Sequence, residues 1–176
     1  YLAYHGMNDR ELQIKVARLY AASCPALSWV APHCLQLEPK GGRPLRIGFH
    51  SKYLFNHSVS TCYSRLLSGL SHQAGFDVSL ISDTGVDQGI YDDFAGQIVT
   101  VPDSLMHARE AIAKLELDIL VYLDIGMEPM SYFLAFSRLA PVQCVMAGHP
   151  VTTGIDTIDY FLSSAVFEAA DADTHY

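Results

Sequence analysis

The sequence predicts an α/β fold: a Rossmann-like, three-layer domain with a parallel sheet, preceded by a helical linker. Three observations carry this. From Leu45 onward, short β-branched or aromatic runs alternate with segments of helical period. The runs are separated by helix-length connections, which join parallel rather than antiparallel neighbours. The run Asp118–Leu123 is almost continuously apolar, as a strand covered on both faces must be.

The elements follow in order. Tyr1 to about Cys24 reads as a loop entering a helix. Asn8 and Glu11 have the spacing of a capping box, with Asn in place of Ser or Thr. Leu12, Val16, Leu19 and Tyr20 then share one helical face. Pro25, Pro32, Pro39, Gly41, Gly42 and Pro44 mark a linker, or a chain wrapped over a surface, with a boundary near Arg43. Residues 1–44 are therefore assigned to the linker and residues 45–176 to the domain. Within the domain, strands are expected at Leu45–His50, Phe76–Ser82, Gln97–Val101, Asp118–Leu123, Val142–Met146 and Tyr160–Ser163. Helices are expected at Ser58–Leu70, with Val59, Cys62, Leu66 and Leu70 inward, and at Ser104–Leu115, with Leu105, Ala108, Ile112 and Leu115 inward. A third is expected at Met130–Ser137.

Composition narrows the function classes. The chain has 176 residues, 50% of them hydrophobic, enough for one domain with a core plus an appendage. The net charge of −8 is dispersed, and Lys and Arg never cluster into a run that could track a phosphate backbone, so nucleic acid is not an expected partner. No apolar stretch approaches the ~20 residues that span a bilayer, and no signal peptide opens the chain. Neither a membrane nor a secretory route is indicated. Cys24, Cys34, Cys62 and Cys144 form no C-x-x-C pair. They read as small buried apolar residues, and unpaired cysteines suit a reducing, cytoplasmic compartment. His33 and Cys34 are adjacent and badly placed as two ligands of one ion, so no metal is expected. The chain opens on Tyr1 and stops at Tyr176 just after an apolar segment; it reads as an excerpt of a longer protein.

Parallel sheets bind ligands at the carboxyl ends of their strands, which directs attention to three loops. After the first strand come Asn56, His57 and Ser58, where a helix begins. Ser58 is a candidate N-cap, and the N–H groups of that helix would favour an anion such as a phosphate. His57 can hydrogen-bond the same ligand or accept a proton near neutral pH. It can equally be a surface residue beside a cap. After Asp118–Leu123, Asp124 can accept a hydrogen bond from a substrate hydroxyl or cap the next helix. After Val142–Met146 come Gly148, His149, Pro150, Val151, Thr152, Thr153 and Gly154. Their amides and two hydroxyls can cradle a polar ligand, or the loop simply turns the chain. No G-x-G-x-x-G and no G-x-S-x-G is present, so neither a dinucleotide fingerprint nor a nucleophile elbow is supported.

Taken together, the loops resemble one family. Leu45-Arg46-Ile47-Gly48-Phe49 followed by Asn56-His57-Ser58 is similar to the start of the catalytic region of O-linked N-acetylglucosamine transferase-like, SPINDLY-type proteins, glycosyltransferase family 41. Asp118-Ile119-Leu120-Val121, then Arg138-Leu139-Ala140-Pro141-Val142-Gln143, then Gly148 to Gly154 and Asp159-Tyr160 match the same family in order. Tyr4-His5-Gly6 and Ala31-Pro32-His33-Cys34 resemble the pre-catalytic linker of its bacterial members. The resemblance implies the amino-terminal half of a GT-B enzyme. Such enzymes transfer a sugar from a UDP-sugar to a protein side chain with inversion and without a metal or other cofactor. It implies three partners: the UDP-sugar, a protein acceptor, and a carboxyl-terminal domain that holds most of the nucleotide. His57 becomes the catalytic cleft histidine. Asn56, Ser58, Gly148, His149, Pro150, Thr152 and Thr153 become donor- or substrate-binding residues.

Two departures bear on the chemistry. Tyr53 stands where the family often has an aspartate, which keeps open the alternative of a non-catalytic, protein-binding module. Gly148-His149-Pro150-Val151 replaces the commoner Gly-Tyr-Pro-Gly and is closer to the bacterial N-glycosyltransferases that use UDP-glucose and modify asparagine. The transferred sugar is accordingly either GlcNAc or glucose. The isolated half is expected to be inactive, because a GT-B site needs both walls.

Overall fold

The computed structural model describes residues 5–35, 41–146, 148–149 and 151–176. Tyr4, Pro39 and Pro150, singled out above, lie outside the described residues. The elements in chain order are α1 (Arg10–Ser23), β1 (Leu45–His50), α2 (Ser58–Ser71), β2 (Phe76–Ser82), β3 (Gln97–Thr100), α3 (Leu105–Ala113), β4 (Ile119–Tyr122), α4 (Pro129–Leu134), β5 (Val142–Met146) and β6 (Tyr160–Leu162). Every expected strand and helix of the domain is present, with ends that coincide with the expected ones or shift by up to three residues.

The six strands form one sheet in the order β3-β2-β1-β4-β5-β6, and all five pairings are parallel. This is the doubly wound Rossmann order, with its topological switch point between β1 and β4. The side-chain period of two splits each strand between two cores. Leu120 and Tyr122 enter the core beneath α1, α3 and α4, whereas Val121 and Leu123 enter the core beneath α2. Both faces of β4 are thus covered, which is why its sequence lacks alternation.

Register is held by polar pins at the amino ends of the strands. Asp118 receives two bonds from the Arg43 guanidinium, at 2.7 and 2.8 Å, and a third from the Arg46 amide at 2.9 Å. Across the sheet, the fully buried Gln143 accepts from Leu139 N and donates to the carbonyls of Ser137 and Thr157. Asp159 accepts from the Gln143 amide and from Arg138. Arg138, Gln143 and Asp159, which matched the family motif, are thus a structural staple joining β5 to the segment that enters β6.

The linker is part of this packing. Ala17, Leu27 and Ala31 are buried, and the Val30–Arg138 bridge ties the linker to the end of α4. Arg109 donates to Ala26 O and lies over the Trp29 ring at 5.2 Å.

Several local expectations are corrected. The inward face of α1 is Ala17, with Ala21 packed beside it, rather than Leu12, Val16, Leu19 and Tyr20; Leu12, Leu19 and Tyr20 are exposed. The loop after β5 also meets this helix: Gly154, at φ +65°, lies directly against the backbone of Gln13 and Ile14, where a Cβ would not fit. The Asn8–Glu11 capping box does not form: the helix begins at Arg10 with Asp9 in the cap position, and Asn8 Oδ1 accepts from Arg10 N. In α2 the buried positions are Val59, Ser60, Leu67 and Ser68, while Cys62 and Leu66 are exposed. The helix is rotated because the Ser60 hydroxyl is drawn inward to Tyr53 O and the Tyr91 hydroxyl. Of the four free cysteines only Cys144 is buried.

Candidate functional site

The carboxyl edge of the sheet at the β1/β4 switch point gathers the loops after β1 and β4, and the loop after β5 packs against them. Asp124, the second residue after β4, is fully buried. Its Oδ2 accepts from the Ser51 hydroxyl at 2.9 Å and from the Lys52 amide at 2.8 Å, both in the loop after β1. Asp124 is therefore neither exposed to a substrate nor a helix cap. The cap of α4 is Glu128, whose Oε2 accepts from Ser131 N at 2.8 Å. Asp124 lies too far before α4 to reach its first amides, while Glu128 directly precedes Pro129, which lacks an N–H and suits the first helical position.

His57 is half-buried at the start of α2, with Asn56 and Ser58 exposed on either side. The N-cap is His57 itself rather than Ser58. Its backbone is extended (φ −150°, ψ 161°), and its ring Nδ1 accepts from Val59 N at 3.3 Å. Ser58 already has helical geometry, and its hydroxyl lies 3.4 Å from the same His57 Nδ1. This arrangement assigns the tautomer: a nitrogen that accepts an amide N–H carries no proton, so the neutral ring bears its proton on Nε2. In this conformation Nε2 is a hydrogen-bond donor.

The third loop approaches from β5. A Cβ on Gly148 would lie 2.9 Å from Asp124 Cα and 3.0 Å from Leu123 O, so only glycine lets this loop lie on the end of β4. His149 packs over Gly126, at φ +94°. The hydroxyls of Thr152 and Thr153 accept from the amides of Gly154 and Ile155 respectively, which shapes the loop from within. Both threonines line a concavity of about 480 Å³ that also contains Arg10, Asp159 and Tyr176. The structure thus places Gly148 and His149 against the β4 loop. Thr152 and Thr153 instead open towards the start of α1.

Sequence reasoning missed a buried polar cluster beneath this edge. His50, the last residue of β1, is fully buried, with Ser131 Oγ 3.3 Å from Nδ1. Burial holds its imidazole below the usual value, opposed by the nearby charges of Asp124, Asp83 and Glu128. Its neighbour across β4 is Tyr122, whose hydroxyl burial pushes up. Lys52 Nζ lies 3.9 Å from Glu128 Oε1. The available signal was the register: His50 pairs with Tyr122, which places Asp124 two residues beyond, at the same end of the sheet. Among the described residues, no group of three or more His, Cys, Asp or Glu is placed to hold a metal ion. Among them, no helix is long and apolar enough to cross a membrane.

These features define a class: a doubly wound, Rossmann-like α/β domain whose candidate site lies at the switch-point crevice. No family model and no curated protein matches the sequence. Among solved structures, the fold is similar to a mutant form of the O-GlcNAc transferase of Thermobaculum terrenum. The TM-score is 0.69 at 25% sequence identity, over 91% of this chain and 31% of that one. The present chain therefore spans under a third of that protein's length.

Proposed function

We propose that this chain is the amino-terminal, Rossmann-like half of the catalytic region of a GT-B glycosyltransferase of the SPINDLY-type family. It would transfer GlcNAc or glucose from a UDP-sugar to a protein side chain, with inversion and without a metal. The observation that carries the reading is the position of His57. It caps the helix that follows β1, at the ligand-binding edge of a fold shared along 91% of the chain with an O-GlcNAc transferase.

The chemistry follows from the geometry. The partial positive charge at the start of α2 favours the donor's phosphates. His57 Nε2–H would donate a hydrogen bond to an oxygen that gains negative charge as UDP departs. Such stabilisation contributes most where charge develops in the transition state. On this reading His57 acts as a donor, and proton removal from the acceptor falls to another group. Gly148 and His149 would meet the sugar side of the donor, with the carboxyl-terminal domain closing the opposite wall.

The test is sugar transfer and UDP-sugar hydrolysis by the full-length protein. His57→Asn should lower kcat by about a hundredfold or more, and undiminished turnover would overturn the assignment. One observation favours the alternative of a non-catalytic protein-binding module: the Tyr53 ring occupies the space beside His57 where the family often has an aspartate. A full-length protein that gives no calorimetric signal with UDP would decide for that alternative.

A further inference from the structure

We infer that Asp124 is the positioning residue that sets the orientation of the His57 ring, acting through Ser51 and Tyr53. The inference rests on the reading of His57 above but not on the identity of the sugar. The path is continuous. Asp124 Oδ2 holds the Ser51 hydroxyl at 2.9 Å and the Lys52 amide at 2.8 Å. The Ser51 oxygen in turn accepts from the Tyr53 amide at 2.9 Å. The Tyr53 ring then lies on His57, centroids 4.2 Å apart and planes 17° from parallel.

The same loop is fastened from its other side. Thr84 donates to Lys52 O at 2.7 Å, Ser60 donates to Tyr53 O at 2.9 Å, and Asp87 N donates to Leu54 O at 2.8 Å. The backbone from Ser51 to Leu54 is thereby held on both sides, while Phe55 and Asn56 are exposed. The Tyr53 side chain leaves a fixed backbone and can act as a wall. His57 is held against that wall by a second constraint, its Nδ1 bond from Val59 N. The polar contacts of the ring from Val59 N and the Ser58 hydroxyl both fall on Nδ1, and the stacked tyrosine limits tilting of the remainder. Asp124 is also the point on which the β5 loop rests, because Gly148 packs on its Cα. Residue 124 therefore touches two walls of the crevice, its carboxylate holding the β1 loop and its backbone carrying the β5 loop.

The experiment uses the histidine ring resonances of the protein, with His57 assigned by their loss in His57→Asn. A stacked tyrosine displaces the protons of His57 upfield. Ser51→Ala and Asp124→Ala should each remove most of that displacement, while Asp124→Asn, whose amide oxygen can accept both bonds that Oδ2 accepts, should keep it. Tyr53→Phe should also keep it, and Tyr53→Leu should abolish it. In the full-length enzyme, Ser51→Ala should lower kcat by about tenfold to a hundredfold with little change in the KM for the UDP-sugar. Unmoved His57 resonances in a folded Ser51→Ala or Asp124→Ala protein would overturn the inference. Resonances that move while kcat stays constant would leave the positioning intact and remove His57 from the proposed mechanism.

Discussion

The Tyr53 ring lies face to face with the His57 imidazole, with 4.2 Å between centroids. The pair joins the histidine that the sequence resemblance singles out to the tyrosine that departs from that resemblance. Where an aspartate would have offered a second acceptor, Tyr53 offers a flat apolar surface, and its hydroxyl points away to Met127 O at 3.5 Å. On the proposed reading the stacked ring holds His57 in place and offers it no proton acceptor.

Cap and chemistry at His57 can be separated. His57→Ala removes the acceptor of Val59 N and should cost about 1 kcal/mol, a fall in Tm of roughly 2–4 °C for a chain of this size. His57→Asn supplies one of the best N-cap side chains and should keep Tm near the parent value while still losing transfer. Calorimetric melting of the two variants checks this. Equal losses of Tm would show that the imidazole contributes no cap.

Gln143 is expected to be a stability residue rather than a binding one. Gln143→Leu strands Leu139 N, Ser137 O and Thr157 O in the interior. Each stranded group costs about 1–3 kcal/mol. Urea unfolding should show a loss of at least about 2 kcal/mol, and Gln143→Glu, which sets a carboxyl against two buried carbonyls, should lose at least as much. A midpoint unchanged in Gln143→Leu would mean that the staple contributes nothing.

The contact between Gly154 and α1 gives a test of the linker's docking. A Cβ at Gly154 would land inside the Gln13 backbone, and the position already has φ +65°. Gly154→Ala should therefore cost about 1–3 kcal/mol and loosen α1 from the sheet. Limited proteolysis should then cut faster between Arg10 and Lys15 than in the parent. Identical cleavage rates would place the docking energy elsewhere.

Stability should fall on acidification because of His50. Its folded value is depressed by burial, so the unfolded chain binds the proton more readily. The contribution is fully present above about pH 6.5, the ordinary histidine value, and is lost as pH falls from there towards the depressed folded value. Between about pH 7.5 and about pH 5.5 the parent should lose more unfolding free energy than His50→Gln. Parallel losses in urea midpoints would show that His50 is not the group responsible.

The chain itself determined the layer architecture. The near-continuous apolar run at β4 and the helix-length connections require a parallel sheet covered on both sides, whatever the details of packing. The positions of the three loops followed from that sheet, because the carboxyl ends of parallel strands face one way. What the periodicity could not decide was rotation. Val59 and Leu70 do face the core, but the stripe does not show that Ser60 rather than Cys62 shares their face, which the bonds of Ser60 to Tyr53 O and the Tyr91 hydroxyl decide. Likewise periodicity does not show that α1 turns Ala17 and Ala21, rather than Leu12 and Leu19, to the core, which only its packing on the sheet decides. Asp124 looked like a cap or a substrate ligand because its partners, Ser51 and Lys52, lie some 72 residues away in the chain. Local propensity acts over a few residues, whereas the bonds that aim His57 exist only once β1 and β4 are side by side.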